Sequence, residues 1–236
     1  MSVAPLELVA EIGRSRVHRF GLGVFYESGL NVDADGSPFC HHPNSYRGLD
    51  DLVNAGRPGH WWGIATDTDH IDGMQGKGTP YIQSVIDPAP GYYVSTTAHV
   101  DGTKKFSDPR RYVDSETVPF IVLPGSPHLG ATIGALAMVF HPATGDSSAA
   151  IFADVGPSNR IGEGSIALAR NLSINHDARE GGVEWGMVTL VFTDTHRDWP
   201  VDLDDITNTS DKNFRLWGGF NQIRAVLPEI DWSKYP

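Results

Sequence analysis

The stretch AAIFADVGPSNRIGEGSIALARNLSI, Ala149 to Ile174, carries three structural signals in succession. An apolar run ending at Asp154 reads as a buried strand, and Val155 to Gly162 reads as a glycine-rich loop. From Glu163 or Gly164 onward the spacing predicts a helix, because Ile166, Ala169 and Arg170 repeat at helical intervals among good helix formers. The remainder of the chain repeats the first two signals and almost never the third. Short apolar runs recur as GLGVFYES, WWGIAT, PYIQSVI, GYYVSTT, VPFIVLP, GALAMVFH, AAIFAD and WGMVTLVFTD, separated by DADGSP, DTDHIDG, DPAPG, LPGSPHLG and HPATGD. Each separator holds the Gly, Pro, Asn or Asp that tight turns require.

The expected fold is therefore mainly β: a single-domain β-barrel with one interior helix and peripheral short helices. One of these is expected over Pro5 to Ile12, where Leu6, Val9 and Ile12 share a helical face, and another over Asn221 to Leu227. Residues 1–19 read as an N-terminal extension or short helix, and 20–236 as one catalytic domain. With 26 Gly and 16 Pro among 236 residues, turns are abundant, and no repeat or linker divides the chain.

Composition removes several function classes. A formal charge of −11 without any block of Lys or Arg would repel nucleic acid and suits a neutral or cationic partner. The single cysteine, Cys40, excludes an internal disulfide and any Cys-based zinc site, and reads as an inert thiol. The ten histidines include no HExxH spacing, and no GxSxG elbow occurs, which leaves neither a zincin nor a serine acyl-transfer site. No apolar run reaches the roughly 18 residues needed to span a bilayer, and the first residues lack the pattern of a secretory leader. A polymer-degrading enzyme would nevertheless need to act outside the cell.

Asp154 and Glu163 flank one loop, and paired carboxylates suit glycoside hydrolysis: one protonates the leaving oxygen while the other activates water or attacks the sugar. Two other readings fit the same residues. Asp154 can close an Asx turn, and Glu163 can favour a helix N-terminus through the macrodipole. Gly162 to Ala167 also matches a dinucleotide fingerprint, but Glu163 would place a negative charge where pyrophosphate belongs, and alternating βα units are missing.

The run Phe152-Ala-Asp154-Val-Gly-Pro, with Ile161-Gly-Glu163-Gly-Ser-Ile-Ala-Leu-Ala169 after it, resembles the signature segment of glycoside hydrolase family 75, the fungal-type endo-chitosanases. The resemblance extends upstream through VFYESGLNVDADGSP, WWGIATDTDHIDG, DPAPGYYVSTT and RYVDSETVPFIVLPG, covering Phe20 to about Phe192. It implies inverting endo-hydrolysis of β-1,4 linkages in chitosan without a cofactor, with the family's essential Asp and Glu falling on Asp154 and Glu163. Cys-rich members of the family differ from this chain, which resembles a bacterial-type relative. The loop-and-helix segment is also similar to double-psi barrel hydrolases, an analogy of architecture only. A carbohydrate-binding β module, or a hydrolase of another glycan such as peptidoglycan, remains an alternative.

Two further acidic clusters, Asn31 to Gly36 and Asp67 to Gly73, can serve as turns, as calcium ligands or as contacts for glycan amines. Neither fits an EF-hand: the twelfth position of the second is Gly78, not Glu. The resemblance favours Asp33 and Asp35 as part of a substrate cleft, where carboxylates would attract the ammonium groups of glucosamine. Tyr93 is the aromatic candidate for substrate binding. It adjoins Tyr92, and neighbours on a strand face opposite ways. Glu163, whose ordinary pKa exceeds that of Asp, is expected as general acid and Asp154 as base, with the reverse order left open by the macrodipole at a helix start.

Overall fold

The computed structural model describes residues 6–236. In chain order the elements are β1 (Glu7–Ile12), β2 (Ser15–Phe20), β3 (Gly23–Asp33), β4 (Gly56–Arg57), β5 (His60–Trp61), β6 (Phe120–Pro124), β7 (Leu136–His141), β8 (Asp146–Gly156), β9 (Glu163–Ser165), α1 (Ile166–Asn171), β10 (Val183–Phe192), α2 (Leu203–Trp217) and α3 (Gly219–Val226). Six strands in the order β3-β10-β7-β8-β6-β9 form a closed barrel, because β9 pairs with β3 as well as with β6. Closure removes the open edges that would otherwise expose unpaired backbone groups. A hairpin of β1 and β2 extends the sheet outward from β3.

Alternate residues along the wall feed two apolar clusters, as the period of two in a strand dictates. Val24, Tyr26, Leu123, Val139 and Phe152 join Leu168 and Leu172 of the α1 region. Phe25, Met138, Phe140, Ile151 and Leu190 join Phe214 and Trp217 of α2 and Ile223 of α3. Phe140 alone meets the rings of Phe214, Phe220, Trp232 and Tyr235, so the C-terminal segment is held on the barrel by aromatic packing.

Three sequence expectations change. The described part of Pro5 to Ile12 is strand, not helix, and Pro5 itself lies outside the described residues. A register irregularity between Leu8 and Ala10 lets Val9, Ala10 and Ile12 all pack on the core, so a bulged strand imitates helical spacing. The runs WWGIAT, PYIQSVI and GYYVSTT do not enter the barrel. They belong to a long excursion between β3 and β6, tied by the isolated bridges Ile64–Ser95, Thr66–Pro80 and Ile82–Tyr93. Glu163 sits in a strand, and the helix after it begins only at Ile166, with Ser165 Oγ accepting the Leu168 N–H as cap.

Helix α2 gave no apolar signal in the sequence. Its buried positions are Ile206, Ser210, Phe214 and Trp217, and one of these four is a serine, while Asp202 caps its start by accepting N–H bonds from Asp204 and Asp205. The expected helix over Asn221 to Leu227 is observed as α3, beginning slightly earlier. None of the described helices is long and apolar enough to cross a membrane.

Candidate active site

Barrel closure assembles a group of carboxylates that the sequence keeps apart. Val122 of β6 stands opposite Glu163 of β9 on one side and opposite Asp154 of β8 on the other. Residues directly opposite across a ladder project to the same face. Asp154 and Glu163 therefore rise from one face with a single strand between them, their Cα atoms roughly 10 Å apart at about 4.8 Å per strand. A register shift between Ile121 and Val122 makes this possible. Without it Ala153 would face Val122 and Asp154 would point the other way; bulges commonly re-aim side chains in this manner.

Asp33 joins from β3. It pairs with Ser165, two residues along from Glu163, and so shares the face of Glu163. Gly162 permits the approach of β9 to β3: its φ is +87°, and a Cβ there would fall 2.5 Å from the Gly29 carbonyl oxygen. Gly162 thus serves the chain's own closure.

Asp35, just beyond β3, is the hub. Its Oδ1 accepts from Ser95 Oγ at 2.9 Å and from His41 Nε2 at 3.2 Å, and Cys40 Sγ lies 3.6 Å away. Gly63 packs against the same carboxylate, where a Cβ would stand 3.1 Å from Oδ2. Asp33 Oδ1 accepts the Asp35 N–H at 2.7 Å, and Asp154 Oδ1 accepts the Ala98 N–H at 2.9 Å. One oxygen from each of Asp33, Asp35 and Asp154 lies within 4.8 Å of the others, and Asp35, Cys40 and His41 form a second close set. A hard cation could be reached by the three carboxylates, though it would need more oxygens than they supply.

Crowding of like charges among half-buried carboxylates makes protons stay. Burial first, and then the charges of Asp35 and its neighbours, push the Asp33 and Asp154 carboxyls well above the usual carboxylate range. The same causes raise Glu163 to about 7, opposed by Arg160. The two members of the pair differ in one respect. Backbone N–H groups of Ala98 and Val155 solvate the charge of Asp154, whereas no hydrogen bond to Glu163 contributes among the described residues. These donors oppose, without cancelling, the upward shift that burial and Asp35 impose on Asp154. Burial also raises the Cys40 thiol, which suits an inert sulfur.

Of the expected site residues, Asp154, Glu163, Asp33 and Asp35 come together. Tyr93 donates its N–H to the His41 carbonyl at 2.9 Å, while its ring stacks obliquely on Trp61, 6.2 Å between ring centroids, in a small cluster with Ala55 and Ile64. Tyr92 faces another way, donating its hydroxyl to the Arg47 carbonyl and packing on Phe39 and His42. Sequence reasoning missed His41 and Ser95. His41 stands six residues from Asp35 in the same loop, a proximity the sequence did offer, but Ser95 is brought in from sixty residues away. His41 is 1% exposed, and its Nδ1 has no partner among the described residues. In comparison with known proteins, no family model and no curated protein matches this chain.

Proposed function

We propose that this chain is a glycoside hydrolase that cleaves β-1,4 linkages within chitosan, with Glu163 as general acid and Asp154 as general base. The observation that carries this reading is the common face of Asp154 and Glu163 on strands flanking Val122. Placement on one face with a strand between them suits a pair of carboxylates acting on the two sides of one bond, and inversion requires their carboxyl groups to stand about 6.5 to 9.5 Å apart. Glu163, raised to about 7, holds its proton at mildly acidic pH and delivers it to the glycosidic oxygen. Asp154, whose carboxyl is held well above the usual range in the free protein, serves as base once a cationic substrate offsets the surrounding charge, and then takes a proton from the water that attacks the anomeric carbon from the opposite side.

Asp33 and Asp35 supply the polar attraction for a glucosamine ammonium, and a bound ammonium in turn favours ionised carboxylates around it. The overall charge of −11 steers a polycation toward the cleft. The resemblance of the Phe152–Ala169 segment to family 75 points to the same substrate.

Release of reducing ends from chitosan, chitin and bacterial wall tests the reading. Chitosan cleavage with the product first appearing as the inverted anomer is expected. Binding without release would instead favour a carbohydrate-binding module, and release from wall alone a peptidoglycan hydrolase.

A further inference from the structure

We propose that the groove beside Trp62 is a saccharide subsite for an uncharged, N-acetylated sugar unit, a specificity element that rests on the hydrolase reading above. Trp62 is 68% exposed, yet it is fixed in place. Its indole N–H donates to the Asn54 carbonyl at 2.6 Å, and its backbone N–H donates to Ala55. Asn54 is itself held by two hydrogen bonds to Asp50. An immobilised aromatic face with its polar atom already satisfied loses little entropy when a sugar ring stacks on it.

The surrounding groove has a volume of about 590 Å³ and is lined by Val53, Arg57, His60, Trp61, Trp62 and Gln75. That falls within the roughly 300 to 1,000 Å³ usual for small-ligand sites. It adjoins the carboxylates through the chain itself, because Gly63, the residue after Trp62, packs on Asp35. The proposal requires a glycan bound at the carboxylates to extend onto Trp62.

Charge decides which sugar fits. The lining contains no carboxylate, and Arg57 brings a permanent positive charge that opposes an ammonium group. An acetamide carries no charge, its carbonyl can accept from the guanidinium, and its methyl can lie on the exposed Val53 side chain. Glucosamine belongs beside Asp33 and Asp35; the acetylated unit belongs beside Arg57 and Trp62.

The test is binding of N-acetylglucosamine tetramer and glucosamine tetramer to the Glu163→Gln protein, followed by titration calorimetry so that no turnover is needed. Trp62→Ala in that background should weaken the acetylated tetramer about 3- to 10-fold, with Trp62→Phe restoring most of the affinity. Arg57→Gln should improve glucosamine tetramer relative to its acetylated counterpart. Both side chains are exposed, so these changes leave the core intact. No binding of the acetylated tetramer, an unchanged Kd in Trp62→Ala, or an unchanged preference in Arg57→Gln would overturn the subsite. Chitosan cleavage by the unsubstituted protein is scored separately: its absence alongside Trp62-dependent binding sinks the hydrolase reading and leaves the subsite standing.

Discussion

Two acidic loops of similar appearance, Asn31-Val-Asp-Ala-Asp-Gly36 and Asp67-Thr-Asp-His-Ile-Asp-Gly73, have opposite fates in the folded chain. In the second, carboxylates are used locally. Asp69 accepts from the N–H and hydroxyl of Thr66 and from the Gly76 N–H, and Asp67 accepts from the Thr79 N–H. These bonds hold a turn-rich segment that has almost no regular secondary structure. In the first loop, Asp33 and Asp35 meet Asp154 and Glu163 across the barrel wall, and protons compensate for the crowding. Aspartate density in sequence thus says little about chemistry; the decisive difference is whether other buried carboxylates crowd against the group.

The strongest way to break the contrast is to neutralise the facing pair. Asp154→Asn and Glu163→Gln should each lower chitosan hydrolysis by about 10²- to 10⁴-fold while circular dichroism stays native, as expected for loss of a proton-transfer group. Near wild-type rates in either variant would end the proposed mechanism.

A second measurement concerns stability and its sign. Glu163 has a folded pKa of about 7 against an ordinary 4.5, so the folded state binds the proton more tightly than the unfolded state. Its contribution is fully present below about 4.5 and is lost as pH rises through 7. Glu163→Gln should therefore stabilise the protein more at pH 8 than at pH 5, by up to about 3 kcal/mol for a shift of this size. Thermal melts of both proteins at the two pH values check this, and a difference of opposite sign would refute it.

The other loop should respond differently. Asp69→Ala removes three hydrogen bonds, two of them to backbone N–H groups, and should cost about 1 to 3 kcal/mol in denaturant unfolding, with hydrolysis retained in the folded protein. Smallest of all is Asp72→Ala. That residue is exposed, and its replacement should change stability by less than about 0.5 kcal/mol and leave turnover as it was. A large kinetic effect from either change would erase the distinction between the loops.

Much of the barrel was legible because its strands are apolar runs bounded by turn residues, a local signal. The segments around Trp61, Ile82 and Tyr93 carry the same signal without joining the barrel, since isolated bridges can satisfy a few backbone groups without building a sheet. Pairing Asp154 with Glu163 needed only the sequence between them, but their common face did not follow from it. The register shift at Val122 turns Asp154 toward Glu163, and a shift of one residue leaves no mark in composition or periodicity.

By itself the sequence determined a β-rich chain, an inert Cys40, an acidic surface and two carboxylates at the ends of one glycine-rich loop. Those properties depend on residue chemistry and on neighbours close along the chain. Tertiary structure alone decided that β9 would close against β3, that Asp33 and Asp35 would meet Asp154, and that Ser95 would reach Asp35. It also placed Glu163 on a strand, where burial and neighbouring charge govern its proton, not on a helix start. These outcomes depend on long-range register and burial, which are properties of the closed barrel and of no single segment.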